Sequence, residues 1–259
     1  MSPAGDQNLA RFQTLRRLGV RYASMSTGRR SVVATPEPLV PSPMSVGPPV
    51  PPVTALPIRP KAAQAPAPVS IPGTPLDAFR QKICECQKCP LGKTRQKFVF
   101  GSGNPKAEVV FVGEAPGADE DEQGLPFVGR AGQLLTKIIE STKTWKRDEV
   151  YICNVLKCRP PGNRTPLPDE VEACRPYLEE QLSLLQPKLL VALGSSAAQA
   201  LLKTKEPVGK LRGKWHDLGG IPLRVTYHPA ALLRTDAYKK DVWEDMKVLT
   251  ARFKELTGL

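Results

Sequence analysis

The sequence contains no long hydrophobic run, few histidines and fewer acidic than basic residues. No window of the 259 residues approaches the roughly 18 apolar residues of a membrane span, so we expect a soluble protein without a membrane partner. Lys and Arg number 37 against 25 Asp and Glu, and this positive excess suits a polyanionic partner such as nucleic acid. Basic proteins are common, however, so charge alone does not identify the partner.

Residues 1–75 lack the apolar periodicity of a folded domain. They hold fifteen of the 28 prolines and about half of the net positive charge. This composition cannot bury enough apolar surface to offset the entropy of ordering a chain, which predicts a disordered, Pro-rich basic tail. Apolar residues at helical spacing over residues 7–22 predict a short amphipathic helix there, which could dock a partner protein or, with its arginines, act as a transit peptide.

Residues 76–259 have the pattern of one folded domain. Short apolar runs predict four strands, at residues 107–112, 149–156, 188–193 and 223–227. Helical patterns lie between and after these runs, and such alternation is typical of a parallel sheet covered on both faces. The sequence therefore predicts an α/β fold, a three-layer α/β/α sandwich with a central four-stranded parallel sheet.

The loop after the first strand, residues 113–132 (GEAPGADEDEQGLPFVGRAG), combines turn residues with carboxylates and one aromatic residue. Its glycines and prolines predict loop geometry until a helix begins near Ala131. A surface loop at a helix N-terminus explains the acidic run at residues 119–122, because carboxylates are favoured there. It does not explain Glu114 and Phe127, because a carboxylate behind a strand and an aromatic residue between prolines and glycines add little to solubility. These two residues are candidates for function.

Three polar residues, Glu114, Asn154 and His228, follow or end predicted parallel strands. The carboxyl ends of parallel strands form one edge of the sheet, and open α/β sheets bind their ligands at that edge. Each residue alone has an ordinary explanation as a cap, turn or packing group, but their shared position predicts one site. His216 has no comparable setting and is expected to be a packing or surface residue.

Four of the six cysteines have a spacing that suggests one metal centre. They are Cys86, Cys89, Cys158 and Cys174. The first two are separated by two residues, and the loop between the other two can bring them to a common point. Spacing alone leaves an iron–sulfur cluster, a zinc ion, disulfides and buried structural thiols open. Cys153 is expected to be a core residue of the second strand, and Cys84 could substitute as a ligand.

Four features together resemble a known family. They are residues 113–135 (GEAPGADEDEQGLPFVGRAGQLL), residues 152–166 (ICNVLKCRPPGNRTP), residues 226–234 (TYHPAALLR) and the four cysteines. The resemblance is to the family 4 uracil-DNA glycosylases, the iron–sulfur branch of their superfamily, and it covers residues 76–256. It implies a four-stranded parallel sheet between helices, a [4Fe–4S] cluster, and hydrolytic excision of uracil from single- or double-stranded DNA.

The resemblance also implies roles for individual residues. It assigns catalysis to Glu114, Asn154 and His228, base binding to Gly113, Ala115, Phe127 and Asn154, and the cluster to Cys86, Cys89, Cys158 and Cys174. Phe127 would stack on the flipped base, while the Asn154 amide would accept from uracil N3–H and donate to O4. His228 would hydrogen-bond O2, and Glu114 would orient a water molecule or balance the charge on the sugar.

Contacts to DNA are expected at three further places. Ser195, at a helix N-terminus, could bind a phosphate through backbone N–H groups. Leu232, with Leu233, could wedge into the gap left by the flipped nucleotide. The basic residues near the cysteines are expected to contact the DNA backbone; they are Lys157, Arg159 and Arg164.

Two rival interpretations use the same segments. A related branch of the superfamily forms a covalent uracil adduct through a histidine in an inserted basic loop, but residues 159–166 contain no histidine, which favours hydrolysis. A non-catalytic iron–sulfur module that docks on replication proteins would have little need of Glu114, Asn154 and His228. We therefore expect a monomeric, cytoplasmic, nucleoid-associated DNA repair glycosylase whose tail contacts replication or repair proteins.

Overall fold

The computed structural model describes residues 73–259. The amphipathic segment at residues 7–22 and nearly all of the predicted tail therefore lie outside the described residues. Within residues 73–259, every helix is too short or too polar to span a lipid bilayer.

In the part of the chain that the structure describes, six strands form one mixed sheet. They are β1 (Ser102–Gly103), β2 (Val109–Gly113), β3 (Tyr151–Asn154), β4 (Leu189–Leu193), β5 (Trp215–Leu218) and β6 (Ile221–Thr226). Their order is β1-β3-β2-β4-β6-β5. The four inner strands are parallel, and β1 and β5 pair antiparallel at the two edges. The predicted four-stranded parallel sheet is confirmed as the centre, and two short edge strands extend it.

Helices connect and cover the strands. They are α1 (Pro75–Ile83), α2 (Leu91–Thr94), α3 (Ala118–Gln123), α4 (Arg130–Ser141), α5 (Pro168–Leu185), α6 (Ser195–Leu202), α7 (Val208–Leu211), α8 (Pro229–Leu232) and α9 (Tyr238–Thr257). A short 3-10 segment at Pro161–Asn163 lies in the Pro-rich loop after β3. α1 begins where the side chain of Thr74 accepts a hydrogen bond from Asp77 N at 3.2 Å, with proline in the first turn.

The inner strands are buried on both faces because alternate side chains pack against helices on opposite sides. In β2, Val110 and Val112 pack in the core that α5 and α6 cover. Val109 and Phe111 pack in the core that α4 and α9 cover. This two-sided burial explains the continuous apolar sequence of the inner strands, and it leaves their carboxyl ends at one edge of the sheet.

The acidic run at residues 119–122 is helical, and the prediction of a surface loop is wrong. α3 begins after Gly117, whose N–H donates to Glu120 Oε2 at 3.1 Å. Asp121 is 2% exposed, and its Oδ1 accepts hydrogen bonds from the N–H groups of Gln96 at 2.9 Å and Lys97 at 3.3 Å. The sequence of this run is typical of a solvent-exposed segment. Its carboxylates are in fact bound by backbone N–H groups from other parts of the chain, which the run itself does not reveal.

Candidate active site at the carboxyl ends of the parallel strands

The candidate functional side chains lie at the carboxyl edge of the parallel sheet. Gly113 is opposite Asn154 in the β2–β3 pairing, so these two residues end neighbouring strands. Gly194 follows β4, and its N–H donates to the carbonyl of Thr226 at the end of β6 at 2.8 Å. His228 lies two residues past β6. Parallel pairing thus brings distant parts of the chain to one edge, as the sequence predicts.

Asn154 presents an amide oxygen that lacks a protein partner. The residue is 1% exposed, and Oδ1 makes no hydrogen bond within the described part of the chain. This oxygen lies beside the α-carbon of Gly113, since a Cβ atom built on Gly113 would be 2.4 Å from it. A buried acceptor without a donor costs about 1–3 kcal/mol. A ligand that donates an N–H at this point would remove that cost.

The Phe127 ring lies against the same glycine. A Cβ atom on Gly113 would be 2.5 Å from Phe127 Cζ. Phe127 has a φ of 53°, a left-handed conformation that is uncommon for a bulky residue. α4 packs closely against the Phe127 backbone because position 132 is glycine. A Cβ atom on Gly132 would lie 1.9 Å from the Phe127 carbonyl and would prevent this contact. Glu120 Oε1 accepts from the next two backbone N–H groups, each at 2.9 Å, so the loop that carries the ring is held from both sides.

The His228 ring lies beside Phe127, with 5.5 Å between ring centroids and 35° between their planes. Its Nδ1 accepts a hydrogen bond from Ala230 N at 3.1 Å, so the neutral ring carries its proton on Nε2. Burial, with a smaller contribution from the positive charge of Arg234, lowers the pKa of His228 to about 4. Gly194 permits this packing, because a Cβ atom there would be 2.9 Å from His228 Cβ. At neutral pH His228 is therefore an uncharged donor.

Glu114 and Ala115 continue the chain from Gly113 along the same edge. The Glu114 carbonyl accepts a hydrogen bond from Leu156 N at 3.0 Å, which fixes the segment after β2 against the segment after β3. Both residues are half-buried. The Glu114 carboxylate has no hydrogen bond or ion pair with any residue between 73 and 259. The Glu114 carboxylate therefore lies next to Asn154, Phe127 and His228 and makes no hydrogen bond to any of them.

Leu232 does not lie where a DNA wedge must lie. It is 2% exposed and packs in the core beneath α4 and α9, whereas Leu233 is 42% exposed. The prediction of a DNA contact by Leu232 is therefore wrong. The sequence could not distinguish two adjacent leucines, because the short helix α8 turns one inward and leaves the next on the surface.

The other residues predicted to contact DNA differ in their environment. Lys157 is 0% exposed and its pKa is lowered by burial, so the prediction of a phosphate contact by this residue is wrong. Arg164 pairs through both terminal nitrogens with the carboxylate of Glu170, at 2.9 and 2.6 Å, which anchors the Pro-rich loop to the first turn of α5. Ser195 is half-buried at the start of α6, beside the glycine that contacts His228. DNA contacts by Arg164 and Ser195 stay predictions.

The four cysteines predicted to bind a metal centre act on one another electrostatically. Burial raises the pKa of the Cys158 thiol, and the charges of Cys89 and Cys86 add to this rise, against a hydrogen bond from Arg95. Burial also raises the pKa of Cys174 to about 11, and the charges of Cys158 and Cys89 act in the same direction. Such effects require the thiols to be neighbours, although they come from three separate segments of the chain.

Two side chains donate hydrogen bonds to the sulfur atoms. Arg95 Nη1 donates to Cys158 Sγ at 3.3 Å and to the Cys86 carbonyl at 2.6 Å, and the Tyr177 hydroxyl donates to Cys86 Sγ at 3.2 Å. Donors of this kind suit thiolates bound to an iron–sulfur cluster. The sequence gives no sign of them, because they lie 63 and 91 residues from the cysteines whose sulfur atoms they contact.

The donor set fits a four-iron cluster. Within residues 73–259, no three His, Cys, Asp or Glu side chains converge as ligands of a single metal ion. Thiolates of a four-iron cluster bind different iron atoms, so they do not need that convergence. The Sγ atom of Cys84 donates to Gln81 O at 3.3 Å, and its carbonyl accepts a hydrogen bond from Arg95 Nη2 at 2.9 Å; substitution of Cys84 as a ligand stays a prediction. Cys153 is 0% exposed in β3, which confirms the prediction of a core residue.

An open parallel sheet that presents an aromatic ring, an unpaired amide oxygen and a neutral imidazole at its carboxyl edge defines an α/β protein suited to binding a planar, hydrogen-bonding base. The ring can stack, and the amide and imidazole can read the edge of the base. The neighbouring carboxylate of Glu114 adds a group that can act on water.

Comparison with known proteins gives the family. A family model described as the uracil DNA glycosylase superfamily matches residues 100–247. A type-4 uracil-DNA glycosylase from Pyrobaculum aerophilum is 45% identical over 179 residues, covering 66% of this chain and 91% of that protein. Those from Archaeoglobus fulgidus (45% over 180 residues; 66% and 90% covered) and Thermotoga maritima (42% over 176 residues; 66% and 91% covered) are similar. The chain belongs to the uracil DNA glycosylase superfamily, in its type-4 branch.

Proposed function

We propose that this protein excises uracil from DNA by hydrolysing the N-glycosidic bond of a flipped-out nucleotide, which leaves an abasic site. One observation carries the proposal: the buried, unpaired Oδ1 of Asn154, at the edge where Phe127 and His228 also lie. Uracil supplies the missing partner, because it has an N–H donor at N3 between acceptors at O4 and O2. The names of the type-4 relatives, which are uracil-DNA glycosylases, support the same activity.

Asn154 selects uracil against cytosine. Its Oδ1 accepts from uracil N3–H, and its amide nitrogen donates to O4. Cytosine has an acceptor at N3 and an amino group at position 4. The Asn154 oxygen would therefore face an acceptor, and the Asn154 N–H would face a donor. Leaving one buried polar group unpaired costs about 1–3 kcal/mol, which corresponds to a large preference when both groups are affected.

Phe127 stacks on the extruded base, and small residues leave room for it. A side chain at Gly113 would occupy the space between the Asn154 amide and the Phe127 ring. Ala115 extends this small-residue stretch beyond Glu114. Because the Phe127 backbone is braced by Glu120, the ring needs little reordering when the base arrives.

His228 and Glu114 act on the breaking bond. Negative charge grows on uracil O2 as the base departs, and a neutral imidazole with its proton on Nε2 can donate to that oxygen. The Glu114 carboxylate orients the attacking water or balances the positive charge that develops on the sugar. The absence of a protein partner for this carboxylate among residues 73–259 supports the assignment, because the group is free to bind water or substrate.

We assign the [4Fe–4S] cluster to Cys86, Cys89, Cys158 and Cys174. When bound, the cluster cross-links the segment between α1 and α2, the segment after β3, and α5. Arg95 and Tyr177 support the assignment by donating hydrogen bonds to two of the sulfur atoms. The pKa of Cys174 near 11 means that cluster binding at neutral pH displaces a proton from this thiol.

For DNA binding, we propose Leu233 in place of Leu232 as the wedge that fills the gap in the base stack. Its exposure and its position five residues after His228 support this role. Ser195 and Arg164 remain candidates for phosphate contacts. The Arg164 guanidinium is partly exposed beside Glu170, so it can contact a phosphate while it stays paired with that carboxylate.

The rival activities receive less support. A covalent adduct requires a histidine in the basic loop, and the chain has histidine only at positions 216 and 228. His216 lies on the edge strand β5, where its Nε2 bonds to the carbonyl of Leu211 at 2.8 Å, as expected of a packing residue. A non-catalytic module would not require an unpaired amide oxygen in its interior. We further propose a monomer that acts with DNA in the cytoplasm and whose tail contacts replication or repair proteins.

The test is excision from oligonucleotides that contain uracil, cytosine, hypoxanthine or xanthine, read as strand cleavage after alkali. The wild-type protein should act on uracil in preference to cytosine. The Asn154→Asp variant replaces the amide donor with an acceptor, so we expect uracil excision to fall about 10- to 100-fold and the preference over cytosine to narrow.

Asn104→Asp is the matched control, because Asn104 lies at the amino end of β3, where its N–H donates to the Val150 carbonyl, and the exchange changes charge in the same way. This variant should excise uracil at the wild-type rate. Selectivity that is unchanged in Asn154→Asp would refute the role of the amide, and a denaturant-resistant protein–DNA product would favour the covalent alternative.

A further inference from the structure

Lys157 lies in the interior, between the proposed cluster ligands and the base-recognition residue. It is 0% exposed, and its Nζ donates to the Asn154 carbonyl at 2.7 Å and to Gln181 Oε1. Gln181 is also 0% exposed, and its Nε2 donates to the carbonyl of Phe100 at 2.9 Å. The hydrogen bonds of the Lys157 ammonium group within residues 73–259 therefore go to neutral oxygen atoms and to no carboxylate.

A buried ammonium group without an anionic partner is strongly unfavourable. Lys157 directly precedes the proposed ligand Cys158 in the chain, and its partner Gln181 lies two turns after the proposed ligand Cys174 on α5. A cluster held by four thiolates carries net negative charge. A cluster at this point would provide the counter-charge that the protein itself does not provide.

The same side chain reaches the recognition site. Asn154 offers its side-chain oxygen to the base and its backbone carbonyl to Lys157. The ammonium group therefore holds the Asn154 backbone, while the side chain stays available to the base. Gln181 lies on α5, the helix that carries Cys174, and so the contact also ties this helix to the end of β3. A shift of the cysteines would thus be transmitted to the amide through one fully buried side chain.

We propose that Lys157 is a positioning residue that couples the iron–sulfur cluster to uracil recognition. It compensates the charge of the cluster and holds the backbone of Asn154 in the position that selects uracil. This inference rests on the proposed function, and it assigns to the cluster a part in ordering the recognition site. Lys157 contacts neither the base nor the DNA.

The test uses the cluster-loaded full chain and the Lys157→Met variant, which replaces the ammonium group with an apolar side chain of similar length. Cluster retention is followed by visible absorbance during incubation with an iron chelator, and base recognition by the affinity for free uracil. We expect cluster loss to be about tenfold faster and uracil affinity about tenfold weaker, because both the counter-charge and the hydrogen bond are removed. Affinity for a uracil-free oligonucleotide should not change, whereas general unfolding would weaken it.

Lys188→Met is the matched control, because Lys188 is exposed and pairs with Glu108 at the opposite end of the sheet. It should leave both quantities unchanged. If Lys157→Met does not fold, Gln181→Met removes one acceptor of Lys157 and should change both quantities in the same direction, by about threefold. Normal cluster retention in the folded variant, or faster cluster loss with unchanged uracil affinity, would overturn the proposal. A wild-type protein that retains its cluster but does not excise uracil would instead refute the proposed function.

Discussion

The side-chain oxygen of Asn154 lies directly against the α-carbon of Gly113. A Cβ atom at position 113 would be 2.4 Å from this oxygen and 2.5 Å from Phe127 Cζ. The amide and the aromatic ring therefore converge on a point that any larger residue would fill. Glycine is required here by the two side chains, because the backbone of Gly113 is ordinary β-strand conformation.

Gly113→Ala should therefore impair recognition. The added methyl group must displace the Asn154 amide or the Phe127 ring, and misplacement of such groups by about 1 Å can cost roughly 100-fold in rate. We expect kcat/KM for uracil excision to fall by about that factor, with the loss shared between kcat and KM. Steady-state kinetics on a uracil-containing oligonucleotide would measure it.

Gly209→Ala makes the same chemical change where there is room. Gly209 lies in α7, and no atom is within 4 Å of a Cβ atom built there. Alanine is the better helix former by about 0.5–1 kcal/mol, so this variant should be as stable as the wild type or slightly more stable, with unchanged kinetics. Equal kinetic losses in the two variants would show that the effect at position 113 is not specific to the site.

The sequence predicts the centre of the fold better than its edges. The inner strands are buried on both faces, so each appears as a continuous apolar run. The edge strand β5 (Trp215–Leu218) mixes polar and apolar residues and is partly exposed, and β1 contains only two residues. Neither strand therefore shows a recognisable pattern of apolar residues in the sequence. The site could be predicted for the same reason as the centre, because the ends of parallel strands must share one edge.

Individual side-chain hydrogen bonds between distant parts of the chain could not be predicted. Arg95 and Tyr177 contact cysteine sulfur atoms far away in the sequence, and nothing in their own surroundings indicates it. The same holds for Lys157, which lies two residues before Arg159 in a basic segment typical of a surface and is fully buried. For these three residues, the buried contact is recognised only when the partner is known.

Asp121 provides a second prediction, on stability. Its buried carboxylate accepts hydrogen bonds from the backbone N–H groups of Gln96 and Lys97, and Asp121→Ala would leave both donors without an acceptor. We expect the free energy of unfolding to fall by about 1–3 kcal/mol. Urea unfolding of the cluster-loaded protein would measure the change.

The neighbouring Glu122 is the control for this change, because it is exposed at the surface of α3. Glu122→Ala should alter the free energy of unfolding by no more than about 0.5 kcal/mol. A similar effect of both substitutions would mean that net charge, and not the buried hydrogen bonds, determines the result.

The state of His228 gives a prediction about pH. Burial lowers its pKa to about 4, below the ordinary value of 6.5. Between pH 6.5 and about 4, the unfolded chain therefore binds more protons at His228 than the folded protein does. The contribution of His228 to the free energy of unfolding is present above pH 6.5 and is lost as pH falls through this window. NMR of the imidazole should show no titration between pH 8 and pH 5 in the folded protein, well above the pKa of about 4.

His228→Gln separates this effect from other acid-induced changes. Glutamine can still donate a hydrogen bond but does not ionise, so the variant should lose less stability than the wild type between pH 7 and pH 5. Its kcat should fall roughly 100-fold, because the donor to O2 is no longer held in place. Identical acid sensitivity of the two proteins would contradict the assignment of the lowered pKa to His228.

The exposed Leu233 leads to a prediction about DNA structure. A wedge is needed only where flipping leaves a gap between stacked base pairs, so Leu233→Ala should lower kcat/KM on duplex substrate roughly tenfold and hardly affect single-stranded substrate. Leu232→Ala should instead destabilise the fold by about 2–5 kcal/mol, because that side chain is buried in the core. Excision rates on paired single- and double-stranded substrates, together with unfolding curves, would separate the two leucines. Equal losses on both substrates for Leu233→Ala would exclude the wedge.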